Sequence, residues 1–439
     1  MPVVRCRGIL GILARKKAIG MTTQALTGPG HSSGKVAEYQ AIALVSAAHF
    51  VNHFQNLVLP PLFPFLKARL GIGFVELGFA LTVANVLSVA AQLPVGFLVD
   101  RLGSRRMLVI ALCVAGTAFI GFGSSPTYAH LLLAMGIIGL SNSVFHPADY
   151  ALLSARIAPA RVGRAFSIHT FSGFLGNAVA PIAMLAIVAA FGLSTALVAA
   201  GAMALVVALL LGCVRIENAA APMPAAANAD MAPARQGLTA ILTPTILALT
   251  GFFALLSLSG SGISNFSVVA LTSAYATPLS IANLALTSYL AAQAFGVLAG
   301  GFVADMTRRH ADVAAVGYAI NACIVLVIGT VALGTAPLIA AMACAGFLGG
   351  LIMPSRDMLV RAAAPPGAVG RTFGVVTTGF NIAGTIGPLM FGFIMDHGAP
   401  QWVFRVSVIV MVITAVTAFV GDRRAASKRR RRDALQPAE

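Results

Sequence analysis

Four polar side chains interrupt an apolar stretch near residues 40–62 of this 439-residue chain. His49, Asn52, His53 and Asn56 follow the spacing i, i+3, i+4 and i+7, so a helix would place them on one face. We infer that this face lines a water-filled cavity; hydrogen bonding between helices is the alternative. A metal ion shared by the two histidines would need further ligands, and the sequence shows no partner cluster, so no metal site is predicted.

A second polar face is predicted near residues 130–153, where Asn142, His146, Asp149 and Tyr150 recur with helical spacing. Pro147 lies among them. Because proline has no amide hydrogen, it leaves one carbonyl without its helical partner and kinks the helix. The kink would turn His146 and Asp149 toward the interior of the protein.

Asp149 is the carboxyl in the first half of the chain that is best placed to take part in chemistry. A buried carboxyl could take up and release a proton, and His146, whose imidazole titrates near neutral pH, could share that task. The alternative places Asp149 near the end of its helix, paired with Arg156 or Arg164. The sequence leaves both interpretations open.

Arg356 and Asp357 stand in the second half at a position equivalent to that face. Pro354 corresponds to Pro147, and Arg356 then corresponds to Asp149. Opposite charges at equivalent places could face each other across a cavity, and the arginine could receive an anionic substrate. A local ion pair is the alternative. Further candidates for the lining of the cavity, each of which could instead serve packing, are His169, Asn177, Asn265, Gln293 and Asn381.

Composition identifies the solvent around these residues. The chain is 58% hydrophobic and only 10% charged, whereas soluble domains carry about 25% charged residues. Apolar stretches long enough to cross a bilayer predict twelve transmembrane helices. These stretches lie near 40–62, 75–99, 107–124, 130–153, 165–190, 193–214, 243–271, 280–304, 312–333, 336–360, 371–395 and 401–420. The fold class is therefore an all-α membrane protein.

Repeated strings divide the chain into two six-helix bundles. A shift of 207 residues superposes residues 162–166 on 369–373, and a shift of 205 residues superposes 96–100 on 301–305. We predict a basic tail over 1–37, a first bundle over 38–214, a cytoplasmic linker over 215–240, a second bundle over 241–421 and a basic tail over 422–439. Parallel repeats of this kind predict a carrier with its site between the halves.

The net charge of +16 resides in the tails and in short gaps between apolar stretches. Arginines cluster in the gaps after the second, fourth, eighth and tenth stretches, which the positive-inside rule places in the cytoplasm together with both termini. This distribution indicates topological signals and contact with membrane lipid, and it argues against binding of nucleic acid.

A charged motif closes the second apolar stretch and recurs in degenerate form in the second half. It resembles the cytoplasmic loop motif of the major facilitator superfamily, Gly-x-x-x-Asp-Arg-x-Gly-Arg-Arg. The resemblance implies that these residues latch one conformation of a carrier. The matching residues are Gly96, Asp100, Arg101, Gly103, Arg105 and Arg106, with Gly301, Asp305, Arg308 and Arg309 in the second copy. We expect Gly96 to allow close helix packing and Asp100 to pair with an arginine or a helix N-terminus.

A narrower resemblance points to the fosmidomycin-resistance group of drug exporters. It rests on residues 49–53, 143–147 and 176–181. That group reads His-x-x-Asn-Asp in its first helix, whereas this chain has His53 in place of the aspartate. The departure puts in doubt a proton-coupling role carried over to this position.

The expected function is proton-coupled export of a small amphiphilic or anionic compound by alternating access. An uptake symporter or uniporter is the first alternative, and a membrane sensor that does not transport is the second. We expect no enzymatic activity, cofactor or metal. The expected partners are a small-molecule substrate, protons and lipid, and the chain is expected to act as a monomer in a bacterial inner membrane.

Overall fold

A computed structural model describes residues 30–158, 161–214, 243–365 and 369–435 of the chain. All regular secondary structure in these ranges is helical, as the long apolar stretches without strict alternation predict. The helices are α1 Gly30–Asn56, α2 Phe63–Leu70, α3 Phe74–Leu102, α4 Ser104–Ser124, α5 Tyr128–Arg156, α6 Val162–Cys213, α7 Pro244–Tyr275, α8 Leu279–Met306, α9 His310–Thr330, α10 Thr335–Ala363, α11 Val369–Asp396 and α12 Gln401–Leu435. A 3-10 turn at Pro60–Leu62 joins α1 to α2.

Helix α6 contains two spans rather than one. It is 52 residues long, about 78 Å at 1.5 Å per residue, which is far more than the roughly 30 Å of a bilayer core. Gly192 interrupts it with φ 82° and ψ 169°, a conformation that an L side chain rarely adopts. The chain turns there, at the boundary that the apolar stretches 165–190 and 193–214 predict.

Eleven helical segments in the described ranges are long and apolar enough to cross a membrane, and the division of α6 at Gly192 gives twelve crossings. Large apolar side chains such as Phe97, Phe191 and Phe302 are more than two-thirds exposed on the outside of the molecule. Lipid is the solvent that accepts such side chains. The prediction of an all-α membrane protein with twelve spans is therefore confirmed.

The first and last helices extend into the two predicted tails. Helix α1 begins at Gly30, inside the predicted tail 1–37, and α12 continues to Leu435, through most of the predicted tail 422–439. Alanine, arginine and lysine are good helix formers, which explains why a helix continues beyond the apolar stretch. The predicted linker at 215–240 lies outside the described residues.

Two pairs of helices join the predicted halves. Helix α3 packs along α11, and α6 packs along α8. Gly78 of α3 lies against the backbone of Pro388 in α11, so closely that a Cβ at this glycine would overlap the proline carbonyl. Thr82 of α3 also donates a hydrogen bond to the carbonyl of Thr385, with 2.9 Å between the oxygens. The backbones of the two halves therefore touch directly along this seam.

Candidate functional site

Helices α1, α5 and α6 bring four imidazoles and one carboxyl together inside the first half. We call this group the histidine cluster; it comprises His49, His53, His146, His169 and Asp149. The helices approach closely because α6 has small residues where it meets α1. A Cβ at Gly173 would lie 2.7 Å from the His49 ring and 3.0 Å from the His53 ring. Glycine at this position leaves room for both rings.

Asp149 lies at the centre of the cluster and is completely buried. Its Oδ2 atom is 3.1 Å from His49 Nδ1 and 3.6 Å from His169 Nε2. The two imidazoles lie with their ring centroids 3.8 Å apart. Of the two interpretations left open by the sequence, the pairing of Asp149 with Arg156 or Arg164 is not made, since the partners of this carboxylate are histidines of two other helices.

Several polar atoms in the cluster have no hydrogen-bond partner among the described residues. They are Oδ1 of Asp149 and both ring nitrogens of His169, and each of these atoms is buried. Buried polar groups without partners are rare, because each costs the free energy of its lost hydration. The His49, Asp149 and His169 side chains offer ligand atoms that all lie within 4.8 Å of one another, so these three residues could hold a metal ion.

The rest of the cluster lies at its edge. The His53 ring is 4.5 Å and the His146 ring 5.5 Å from the His49 ring, measured between centroids. Tyr150 places its ring 5.9 Å from His169 and is exposed. The predicted polar face of α5 therefore does turn toward α1 and α6.

Asn142 joins three helices beside the cluster. Its Oδ1 atom accepts a hydrogen bond from Asn52 Nδ2 at 2.8 Å and a longer one from Asn56 Nδ2 at 3.4 Å. Its own Nδ2 donates to the Ser88 hydroxyl on α3 at 3.0 Å. Both interpretations of the polar face on α1 hold in part: Asn52 bonds another helix, whereas His53 and Asn56 line a cavity.

A cavity of about 580 Å³ lies between the predicted halves. Side chains from α1, α3, α5 and α6 line one side of it, and side chains from α7, α8, α10 and α11 line the other. Of the further candidates named from the sequence, all but His169 line this cavity: Asn177, Asn265, Gln293 and Asn381. His169 is buried in the histidine cluster instead.

Arg356 brings a positive charge to the cavity wall. Its guanidinium carbon lies 4.7 Å from the ring centroid of Phe253 and 5.1 Å from that of Phe380, within the range of cation–π attraction. Its Nε donates to Asp357 Oδ1 at 2.9 Å. Arg356 therefore does not pair with Asp149 across the cavity, and the alternative interpretation, a local ion pair, is the one that the structure contains.

The charged motif at the end of α3 is only partly engaged. Arg105 donates from Nε to the carbonyl of Leu211 at 2.9 Å and from Nη2 to that of Gly212 at 2.7 Å, at the C-terminal end of α6. The backbone at Gly103 has φ 87°, a conformation that glycine adopts without steric cost, which explains why this position is a glycine. Gly96 and Gly301 face open space, so the close packing expected at Gly96 is not made in this conformation.

The acidic and remaining basic residues of the motif, Asp100, Arg101, Arg106, Asp305, Arg308 and Arg309, form no ion pair with a side chain in the described part of the chain. The ionic contact between the halves that the structure does contain lies elsewhere. Asp396 at the end of α11 lies 3.3 Å from Lys67 Nζ, and its carboxylate also accepts from the backbone of α3. This contact was not predicted from the sequence, because its partners are more than 300 residues apart in the chain.

Two further features were not predicted from the sequence: the place of His169 in the cluster and the role of Asn142 in joining helices. No local spacing could have identified the first, since His169 is the only histidine in its apolar stretch. Asn142 stood on the predicted polar face of α5, but its partners on α1 and α3 follow only from the packing of the helices.

Comparison with known proteins agrees with this architecture. The family model described as Major Facilitator Superfamily matches residues 45–275 and 250–438. The fosmidomycin resistance protein of Escherichia coli (strain K12) is 23% identical over 415 residues, which cover 93% of this chain and 99% of that protein. A Na⁺, Li⁺, K⁺/H⁺ antiporter of Planococcus maritimus is 31% identical over 112 residues, 24% of this chain and 26% of that protein.

A solved structure shares the fold at low sequence identity. It is the inward-facing and occupied form of a bacterial homologue of the human lysosomal transporter Spinster, with a TM-score of 0.73 and 14% identity over 87% of this chain and 96% of that one. The family match covers nearly all of the described helices. The chain therefore belongs to the major facilitator superfamily and is an integral membrane transporter, not an enzyme.

Proposed function

We propose that this protein is a secondary active transporter that exports a small amphiphilic or anionic compound in exchange for protons, in a bacterial inner membrane. The two bundles would rock about the linker and expose the central cavity to each side in turn. The observation that carries the proposal is the cavity between the halves, with Arg356 in its wall.

The lining of the cavity supports an amphiphilic or anionic substrate. Its volume of about 580 Å³ lies within the range of small-molecule sites. Amide side chains, hydroxyls and apolar groups share the wall, and Arg356 is the one Lys or Arg side chain among the described lining residues. The guanidinium of Arg356 can bind an anionic substrate. Its partner Asp357 is 45% exposed, so solvent screens this ion pair and the arginine is only partly neutralised.

The names of two relatives support the direction and the coupling ion. One is named for resistance to fosmidomycin, which fits export, and another is named as an antiporter that exchanges monovalent cations for protons. Exchange with protons would supply the free energy for movement against a gradient. The bacterial origin of both relatives supports placement in a bacterial inner membrane.

Reconstitution of the full chain into vesicles with an imposed pH gradient tests the proposal. Protons run toward the alkaline side, so an antiporter would accumulate its substrate on the acidic side. A panel of anionic and amphiphilic solutes is followed by filtration, with and without an ionophore that collapses the gradient. Movement in the same direction as the proton would favour an uptake symporter, and movement independent of the gradient would favour a uniporter.

Two variants separate the role of the cavity from general damage. Arg356→Gln should abolish accumulation of anionic solutes, whereas Arg361→Gln, an exposed residue of the same helix, should leave it unchanged. Absence of movement for every solute in the native protein, with correct insertion verified, would favour a membrane sensor and overturn the proposal.

A further inference from the structure

We propose that the histidine cluster is a binding site for a zinc-class divalent cation, held by His49, Asp149 and His169. This inference goes beyond the transport function, because the site is buried within the first half and is separate from the arginine in the cavity wall. The two neighbouring histidines of a single helix suggested no such site in the sequence. The fold supplies the missing ligands from α5 and α6.

The separations between ligand atoms suit a tetrahedral ion. Nitrogen and oxygen ligands bind zinc at about 2.0–2.2 Å, which places two ligands of a tetrahedron roughly 3.3–3.6 Å apart. Asp149 Oδ2 is already 3.1 Å from His49 Nδ1 and 3.6 Å from His169 Nε2. Ligand atoms of all three residues lie within 4.8 Å of one another, so a small contraction of the side chains would complete the geometry.

The hydrogen bonding of the cluster points to a missing partner. Among the described residues, neither ring nitrogen of His169 has a hydrogen-bond partner although the side chain is 1% exposed, and Asp149 Oδ1 has none at 0% exposure. A cation between the three side chains would engage Nε2 of His169 and the Asp149 carboxylate, and it would offset the charge of the carboxylate in its apolar surroundings. Burying a charged carboxylate away from water costs free energy unless an opposite charge compensates it.

The kind of ligand selects the kind of cation. Imidazole nitrogens suit zinc and its transition-metal neighbours, whereas magnesium and calcium prefer sites composed of oxygen. His53 offers the route to the site, since its ring lies 4.5 Å from that of His49 and it also lines the cavity. It could supply the fourth ligand, a position that water takes in open sites.

Direct binding measurements on the full chain test the site without reference to transport. The protein is purified in detergent with an affinity tag that contains no histidine, stripped with a chelator and titrated with Co²⁺, then with Zn²⁺. We expect one equivalent of Co²⁺ with the visible absorption of a tetrahedral ion, displaced by Zn²⁺ and unaffected by excess Mg²⁺. Isothermal titration calorimetry gives the affinity.

Matched histidine variants decide whether the binding belongs to this cluster. His169→Gln and His49→Gln should each weaken Zn²⁺ binding at least ten-fold, and Asp149→Asn should do the same. The control is His397→Gln, because His397 is exposed just after the end of α11 and its Nδ1 lies 2.9 Å from the carbonyl oxygen of Phe393 in that helix. Size-exclusion profiles identify a variant that fails to fold, and the remaining cluster variants then decide.

Absence of stoichiometric Co²⁺ binding by the native protein would overturn the inference. Equal Zn²⁺ affinity in the His169→Gln and His397→Gln proteins would also overturn it, since the ion would then bind elsewhere. Neither result would affect the proposed export function, which is measured in vesicles by the movement of organic solutes.

Discussion

The Asp396 carboxylate accepts a hydrogen bond from the backbone nitrogen of Phe74, at 2.9 Å, and so links the end of α11 to the start of α3. Its second oxygen accepts from the nitrogen of Val75 at 2.7 Å. Lys67 Nζ lies 3.3 Å from the same carboxylate. An acidic group from one half thus caps a helix of the other half, in the position that the helix dipole favours for a negative charge.

Removal of the Asp396 cap should weaken the contact between the two halves where α11 ends and α3 begins. Asp396→Ala leaves two backbone donors of α3 without a partner, a loss of about 1 kcal/mol, which corresponds to a roughly five-fold change in the ratio of two conformations. Spin labels are placed at the exposed positions Ala68 and His397. In the variant, a larger fraction of molecules than in the native protein should show a long distance between the two labels.

The control for the Asp396 variant is Asp312→Ala, which removes a carboxylate from the first turn of another helix. This control should leave the distance distribution unchanged. An unchanged distribution in Asp396→Ala would show that the cap does not hold the two halves together.

Gly78 should be intolerant of any side chain, because its Cα faces the backbone of Pro388 in the other half. Gly78→Ala would force α3 and α11 apart, and overpacking of this kind typically costs about 1–3 kcal/mol. We expect a melting temperature in detergent several degrees below that of the native protein. Gly121→Ala is the matched control, since a Cβ at Gly121 meets no atom within 4 Å. Equal melting temperatures for the two variants would contradict the tight seam.

The helices of this fold follow from the sequence because each requirement is local. A helix that crosses a bilayer needs about 20 apolar residues in succession. The chain contains twelve such stretches, separated by short gaps. The turn at Gly192 falls between two of these stretches, so the boundary within α6 could be predicted to within a few residues. The polar faces of α1 and α5 also follow from spacing alone.

Partnerships between helices do not follow from the sequence in the same way. Asp149 meets His169 from α6 and His49 from α1, and nothing within any single helix specifies this meeting. Arg356 was expected to meet Asp149, but its neighbour Asp357 is closer and reaches it without crossing the cavity. The cluster and the cap at Asp396 both depend on how the helices pack, which spacing along the chain does not encode.

Asn142 should contribute to stability through three helices rather than one. Asn142→Ala removes the acceptor of Asn52, whose side chain is 4% exposed, and an unpaired buried amide costs about 1–3 kcal/mol. Thermal unfolding in detergent measures the loss. Asn265→Ala provides the comparison, since Asn265 donates only to Ser261 in its own helix and should cost less. A larger loss in the Asn265 variant would contradict the role of Asn142.

Arg356 should tolerate lysine poorly, although lysine keeps the charge. The planar guanidinium lies within 5.1 Å of the ring centroids of both Phe253 and Phe380, and the compact ammonium of lysine cannot stack on two rings in this way. Arg356→Lys should therefore retain part of the transport of anionic solutes, whereas Arg356→Gln should retain none. The vesicle assay then compares pairs of solutes, each a carboxylate and the corresponding amide. Such a pair separates the effect of the solute's charge from that of its shape.

The sign of the effect on the carboxylate–amide pairs follows from the charge at the cavity wall. If the guanidinium attracts the anion, its replacement by glutamine lowers the rate for the carboxylate and leaves the rate for the neutral amide nearly unchanged. Phe380→Leu, which removes one ring and no charge, should reduce both rates in parallel, because Phe380 itself lines the cavity. A parallel fall of both rates in Arg356→Gln would instead assign this arginine to the packing of α10, and the substrate of the cavity would not need to be an anion.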